Sequence, residues 1–154
     1  MKLYKHQIWL ICVIILLLVS LFLPIGQFGS VQEAAHITNF KIIFQNGDSN
    51  GGAWGLSAVL IVSILVTLFN LLISRFKNFT LQKRVIIFSS LLLVGYYILF
   101  LILVLLFKNE LKFIPMWGGS FPSIALILNV MSFFSVNKTE ADIIAESCSF
   151  RLRD

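Results

Sequence analysis

The sequence predicts an all-α membrane protein, a four-transmembrane-helix bundle with one long outer loop and an amphipathic cytoplasmic helix at the C-terminus. Three observations predict this fold class. The 154 residues are 58% hydrophobic and only 12% charged, about half the charged fraction of an ordinary soluble domain. The hydrophobic residues form four long stretches. The basic residues lie mainly between these stretches, as expected when positive charge sets the orientation of a membrane protein.

Four spans account for most of the chain, and the whole of it, residues 1–154, is predicted to be one membrane domain. A helix needs roughly 20 apolar residues to cross about 30 Å of hydrocarbon. The predicted spans are residues 8–24, 54–74, 85–107 and 117–136. The first also has the composition of a signal peptide. We expect it to be retained, because Glu33 occupies a position of the candidate Ala34-Ala35 cleavage site that requires a small residue.

The distribution of Lys and Arg predicts the orientation. The cytoplasmic loop, residues 75–84, contains no acid. Its basic, topology-setting residues are Arg75, Lys77, Lys83 and Arg84. Placing this loop and both termini on one side puts nine of the 12 basic residues there and leaves three on the other side. Because Lys and Arg are retained in the cytoplasm, both termini are predicted to be cytoplasmic. This orientation also explains the net charge of +5, and no nucleic-acid partner is expected.

Tryptophans are expected to mark the two membrane interfaces, where amphipathic aromatic rings concentrate. Trp9 lies near the start of the first span, whereas Trp54 and Trp117 begin the second and fourth. In the predicted orientation, Trp9 is an anchor at the cytoplasmic interface. The other two are anchors at the outer interface.

The outer loop, residues 25–53, is too long for a turn and too short for an independent domain. Residues 38–45 are rich in β-forming residues, and the following Asn46-Gly47 is a strong turn signal. We expect a short strand or hairpin that rests on the helix ends. The second outer connection, residues 108–116, is expected to be a short polar link.

The tail, residues 137–154, has the pattern of an amphipathic helix. Thr139 and Asp142 form a predicted capping box at its start. An apolar stripe follows at helical spacing, and its members are Ala141, Ile144, Ala145, Cys148 and Leu152. The opposite face is acidic. We expect the helix to lie on the inner membrane surface or against the basic loop, where each exposed ion pair contributes under about 1 kcal/mol.

The predicted spans contain no Asp, Glu, Lys, Arg or His. Proton-coupled transport and voltage sensing need an ionisable group within the membrane, so these functions are not expected. His6 and His36 are predicted to be solvated, and neither has a second ligand at metal-binding spacing. The sequence contains no catalytic constellation. We therefore expect no enzymatic activity, no metal site and no cofactor.

Hydroxyl and amide groups are the polar side chains of the spans. Helical spacing places Ser63, Thr67, Asn70 and Ser74 on one face of the second span. A shorter stripe on the fourth contains Asn129 and Ser132, and the third carries Ser89, Ser90, Tyr96 and Tyr97. At 1.5 Å per residue, Asn70 is predicted to lie level with Ser89 and Ser90, and Asn129 near Thr67.

These stripes should face one another, because an amide exposed to hydrocarbon has no partner. Two interpretations remain open. The groups either hold the helices together or line a polar cleft for a lipid headgroup or small solute. The residues concerned are Ser63, Thr67, Asn70, Ser89, Ser90, Tyr96, Tyr97, Asn129 and Ser132.

The layout resembles a known family. The chain opens with Ile8-Trp9-Leu10 and a first span ending at Leu21-Phe22-Leu23-Pro24, continues through an outer loop and three more spans, and closes on Arg151-Leu152-Arg153. It is similar to a family of small four-span membrane proteins from Bacteroidetes that is catalogued as a domain of unknown function. The resemblance implies a bacterial inner membrane and supplies no activity.

Two functions are consistent with these features. The first is a non-enzymatic accessory or scaffold subunit of a larger membrane assembly or homo-oligomer, with the lipid bilayer and a membrane protein or a second copy as its partners. The alternative is a lipid- or small-solute-binding carrier that uses the polar stripes of spans 2 and 4.

Overall fold

Four long helices form the body of the protein in the computed structural model, which describes residues 5–29, 34–44, 49–50, 53–76, 78–107 and 112–151. The helices are α1 (Lys5–Phe22), α2 (Trp54–Ile73), α3 (Phe79–Phe107) and α4 (Phe121–Arg151). Short 3-10 turns follow α2 at Ser74–Phe76 and precede α4 at Trp117–Ser120. Each helix is long and apolar enough to cross a membrane. The four predicted apolar segments are therefore helices that could span a membrane by their length and hydropathy.

The helices form a closed ring. Each packs against the next in sequence, and α1 also packs against α4. Neighbouring helices are antiparallel, as the hydrogen bonds between the start of α1 and the end of α2, and between the end of α1 and the start of α4, require. We call the end with Lys5, Arg75 and Lys83 the basic end.

A five-stranded antiparallel sheet covers the opposite end, which we call the sheet end. Its order is β4-β3-β2-β1-β5. The strands are β1 (Gly26–Gly29), β2 (Ala34–Ile37), β3 (Ile42–Phe44), β4 (Ser49–Asn50) and β5 (Lys112–Pro115). Buried Ile25, Ile37 and Ile42 join the sheet to the core of the bundle. The sheet therefore extends the hydrophobic core beyond the helix ends.

The structure confirms the expected hairpin and adds to it. The predicted β-forming segment supplies β3, which pairs with β4, whereas the predicted turn at Asn46-Gly47 lies outside the described residues. The connection predicted as a polar link contains β5, which pairs with β1. Phe113 of β5 packs edge-on against Phe100 of α3, with the ring centroids 5.7 Å apart. The segment Lys112–Pro115 is short, but it is a strand because it pairs with β1 and because Phe113 packs against Phe100.

The predicted cytoplasmic loop is shorter than expected, because α3 begins at Phe79 rather than at residue 85. The Asn78 side-chain oxygen accepts a hydrogen bond from the Leu81 amide at 3.4 Å, and the Gln82 amide donates to the Asn78 carbonyl at 3.1 Å. Asn78 thus caps the helix. Most of the basic segment consequently belongs to the first turns of α3. Similarly, α1 begins at Lys5 rather than at residue 8.

The prediction of a separate tail helix is wrong. Helix α4 continues without a break from Phe121 to Arg151. Thr139 does not cap a new helix, because its hydroxyl donates to the Ser135 carbonyl one turn earlier, at 2.9 Å. No Gly or Pro follows Pro122 in this segment, so nothing in the sequence terminates the helix. The tail therefore continues the fourth span.

Candidate functional site

Buried polar side chains form two separate clusters. The first, the sheet-end cluster, consists of Ser20, Asn39, Tyr96 and Gly118. Both amide atoms of Asn39 are used: the nitrogen donates to the Ser20 carbonyl at 2.7 Å, and the oxygen accepts from the Tyr96 hydroxyl at 3.0 Å. The Ser20 hydroxyl donates to the Gly118 carbonyl at 3.2 Å. All three polar side chains are fully buried. This cluster joins α1, α3, the sheet and the turn before α4.

Close backbone contact reinforces the sheet-end cluster. A Cβ atom added to Gly118 would lie 2.3 Å from the Pro24 carbonyl oxygen, so no side chain fits there. The Met116 amide donates to the Ile25 carbonyl at 2.9 Å. The Tyr97 hydroxyl donates to the Gly119 carbonyl at 2.9 Å. The end of α1 and the start of α4 are therefore held at a fixed separation.

The second group, the basic-end cluster, contains nine buried residues from all four helices. They are His6, Ser63, Thr67, Asn70, Ser74, Gln82, Ser89, Asn129 and Ser132, and none is more than 7% exposed. Their burial confirms that the polar groups of α2, α3 and α4 share one interior.

Ser89 is the centre of one hydrogen-bond network in this cluster. Its hydroxyl lies 3.2 Å from the Thr67 hydroxyl and accepts from the Asn129 amide nitrogen at 3.2 Å. The Thr67 hydroxyl also approaches the Ser63 carbonyl at 2.8 Å. Asn129 thus lies at the depth of Thr67, as predicted. Interhelical hydrogen bonding, the first of the two interpretations, accounts for these contacts.

His6 joins the basic ends of three helices. Its Nε2 lies 2.9 Å from the Ser74 hydroxyl, and its carbonyl accepts from the Ser132 hydroxyl at 3.5 Å. The prediction that His6 is solvated is wrong, because α1 starts early enough to carry the ring inside the bundle, where it is 1% exposed. His36 is exposed, as predicted, and its Nδ1 accepts from the Gln27 amide at 2.9 Å.

Asn70 and Gln82 contrast with this bonded network. Both side chains are buried, and neither amide nitrogen nor amide oxygen has a hydrogen-bond partner in the described part of the chain. The Asn129 amide oxygen and the Ser63 hydroxyl are also buried without a partner there. The cluster therefore has unused donors and acceptors alongside its bonded groups.

The bond between Thr67 and Ser89 fixes the depth of these amides. Moving forward along α2 corresponds to moving backward along antiparallel α3. Asn70 therefore lies level with Ile86, about 4.5 Å nearer the basic end than Ser89. The sequence predicts Asn70 about level with Ser89 and Ser90, and this alignment shifts it by three residues toward the basic end. By the same alignment, Gln82 lies level with Ser74 and thus with His6.

The remaining predicted residues lie elsewhere. Ser90 is half-buried, and its hydroxyl donates to the Ile86 carbonyl of its own helix at 3.0 Å. Tyr96 and Tyr97 belong to the sheet end. Trp54 and Trp117 are exposed at that end, and Trp9 is half-buried near the basic end.

The predicted topology-setting residues lie at the basic end where the structure describes them. Arg75 and Arg84 are exposed, and Lys83 forms an ion pair with Glu140 of α4. Lys77 lies outside the described residues. The ion pair joins the start of α3 to the continuation of α4.

Sequence reasoning missed His6, Gln82, Ser20 and Asn39. Gln82 had a usable signal, because it lies two helical turns before Ser89 and therefore on the same face once α3 is known to begin at Phe79. No sequence pattern indicated the burial of Asn39, because its partners come from segments distant in sequence.

Within the described ranges, no group of three or more His, Cys, Asp and Glu residues could hold a metal ion.

Two comparisons bear on identity. The family profile described as Domain of unknown function (DUF4293) matches residues 6–145, which extend from the start of α1 well into the continuation of α4. A comparison with curated proteins finds no match. The matched region includes both polar clusters, the sheet and all four spans. The chain therefore belongs to the DUF4293 family.

Proposed function

We propose that this protein is a non-enzymatic accessory or scaffold subunit of a larger membrane assembly or homo-oligomer, which it contacts through the continuation of α4. Its location is a bacterial inner membrane, with both termini in the cytoplasm. The charge asymmetry of the sequence supports this orientation, because Lys and Arg are concentrated at the basic end. The proposal assigns no catalytic step to this chain.

The projection of α4 is the observation that carries the proposal. The bond between Asn129 and Ser89 aligns α3 with α4, so that Val136 lies level with Gln82. By the same alignment α3 begins, at Phe79, level with Thr139, and α4 continues to Arg151, about 18 Å farther at 1.5 Å per residue. The side chains of residues 141–146 are exposed. A helix that extends this far beyond its own bundle offers a surface to another molecule.

The composition of this projection favours a protein partner over the lipid surface. Ile143 and Ile144 are 37% and 56% exposed at a depth where α1 and α2 have ended. Nearby exposed acids, Asp142 and Glu146, disfavour binding to an anionic membrane surface, which attracts basic helices. A groove with an apolar floor and a basic rim matches this surface in the manner of helix-in-groove recognition.

Site-specific photocrosslinking in native membranes tests the proposal. A crosslinker at Ile144 is expected to give a protein adduct of defined mass, twice that of the chain for self-association or larger for another subunit. A crosslinker at Leu91, which is 66% exposed on the membrane-spanning part of α3, is the matched control and should give no protein adduct. No adduct at Ile144, together with a monomeric particle in mild detergent, would contradict the proposal.

A second candidate function is a lipid- or small-solute-binding carrier. The unpartnered amides of Asn70 and Gln82 favour it, because purely structural amides are normally hydrogen-bonded when buried.

A further inference from the structure

We propose that the basic-end cluster binds a small neutral molecule bearing several hydroxyl or amide groups, held by Asn70, Gln82 and Asn129. The proposal rests on the carrier function and is independent of any partner of α4.

The amides of Asn70 and Gln82 are buried without hydrogen-bond partners in the described part of the chain. Asn70 is 1% exposed and Gln82 is fully buried, yet the four polar atoms of the two side chains lack partners within the described residues. A buried polar group without a partner costs about 1–3 kcal/mol. The fully bonded Asn39 shows what a structural amide does in this same protein. A ligand that supplies the missing partners removes the deficit.

The unpartnered groups lie at three different depths along the bundle. Asn129 lies at the depth of Ser89, Asn70 lies about one turn nearer the basic end, and Gln82 lies one turn beyond that. The distance along α3 from Ser89 to Gln82 is about 10 Å. One water molecule cannot bridge groups spread over this length. A molecule with hydroxyl or amide groups along a short carbon skeleton can contact all three depths.

The charge of the cluster restricts the charge of its ligand. The nine residues of the cluster include no Asp, Glu, Lys or Arg. Lys83, next to Gln82, is paired with Glu140, and Arg75 and Arg84 are exposed. A charged ligand would lose its hydration without gaining a counter-ion. The ligand must also donate and accept, because, among the described residues, Asn70 and Gln82 each present an unpartnered amide nitrogen and oxygen and Asn129 presents an unpartnered oxygen. Neutral hydroxyl and amide groups satisfy both conditions.

Such groups have two sources, a water-soluble polyol and the hydroxyl headgroup of a neutral lipid. The experiment separates them. The full-length protein is purified in mild detergent, and native mass spectrometry is combined with separate aqueous and organic extractions. Myo-inositol is the soluble probe, and nanodiscs containing diacylglycerol provide the lipid probe. The wild-type protein is expected to carry or bind one such molecule per chain.

Three variants give the proposal its sharpest test. The double variant Asn70→Leu/Gln82→Leu is expected to lose binding at least tenfold. Gln27→Leu is the matched control, because it removes an amide of the sheet, far from the cluster, and should bind as the wild type does. The single variant Asn70→Leu should lose part of the affinity. Because this variant changes one side chain only, a partial loss of affinity indicates a local effect on binding rather than a general effect on folding.

The unfolding midpoint of the ligand-free protein completes the test. The double variant should unfold at the same denaturant concentration as the wild type or a higher one, because it loses no hydrogen bond within the protein. A double variant that unfolds much earlier would show that the amides are structural, and this would overturn the proposal. Wild-type protein that holds water only and binds neither probe would also overturn it. So would a double variant with unchanged binding.

Discussion

Asn39 and Asn70 carry the same carboxamide, and both are buried, yet their surroundings differ. The nitrogen and oxygen of Asn39 each have a partner within 3.0 Å, whereas neither atom of Asn70 has one in the described part of the chain. The sheet end therefore uses its amide to hold the structure together. At the basic end, the Asn70 amide forms no such bond among the described residues.

Backbone geometry explains the difference. The sheet end contains the last turn of α1 and the 3-10 turn before α4, where carbonyl groups lack the partners of a continuous helix. The Ser20, Gly118 and Gly119 carbonyls all accept bonds from side chains there. Around Asn70 and Asn129 the helices are continuous, so most of their carbonyls are already bonded. Side chains at that depth therefore bond to one another, as Thr67, Ser89 and Asn129 do.

The largest expected effect comes from Gly118→Ala. The new Cβ would lie 2.3 Å from the Pro24 oxygen and 2.9 Å from the Pro24 carbonyl carbon, and both are backbone atoms that cannot rotate away. We expect a loss of about 3 kcal/mol in the free energy of unfolding, at the upper end of the range for overpacking. Denaturant titration in mixed micelles measures it. Gly95→Ala is the control, because its Cβ would meet nothing within 4 Å, and an equal loss there would contradict the explanation.

Tyr96→Phe should have the next largest effect. It leaves the Asn39 oxygen buried without a partner, which costs about 1–2 kcal/mol in the free energy of unfolding. Tyr97→Phe is the matched variant, because it also removes one hydrogen bond, which the Tyr97 hydroxyl donates to the Gly119 carbonyl, but from a side chain that is only half-buried. The same titration should rank Tyr96→Phe as the more destabilising change. The opposite ranking would argue against Asn39 as the centre of the sheet-end cluster.

Asn129→Leu should destabilise the protein less. The substitution removes one interhelical bond, worth about 0.6 kcal/mol on average within membranes, and it also removes the unpartnered amide oxygen. Thermal unfolding followed by tryptophan fluorescence can detect the small shift. A loss as large as that of Tyr96→Phe would show that the basic-end cluster is as tightly bonded as the sheet end.

The smallest effect is expected for Glu140→Gln. The ion pair with Lys83 is about one quarter exposed on each side, so its removal should cost under about 1 kcal/mol. The difference from the wild type should shrink as salt is added. Unfolding curves at low and high ionic strength test this, and a salt-independent loss would assign Glu140 a role beyond the ion pair.

The sequence was sufficient for the spans because 20-residue apolar stretches have few other structures available to them. It also predicted that the polar stripes of α2 and α4 turn inward and that Asn129 lies at the depth of Thr67. Local patterns predicted the β3–β4 hairpin. Each of these features depends on residues close together in sequence or on one helical face.

Features that depend on distant segments were missed. The partners of Asn39 come from Ser20 and Tyr96, and no local pattern connects these three positions. The burial of His6 depends on the early start of α1, and helix boundaries are set by capping and packing as much as by composition. The predicted start of a new helix at Thr139 was wrong, because the residues before Thr139 are already helical. The Thr139 hydroxyl therefore bonds to the Ser135 carbonyl of the same helix instead of capping a new one.

The unfolding of Asn39→Leu compared with Asn70→Leu, measured for ligand-free protein in the same micelles, tests the contrast between the two clusters most directly. We predict a loss of about 2 kcal/mol or more for Asn39→Leu, because the Tyr96 hydroxyl and the Ser20 carbonyl lose their bonds to the amide. For Asn70→Leu we predict no loss or a small gain in stability. Equal losses in the two variants would contradict the account.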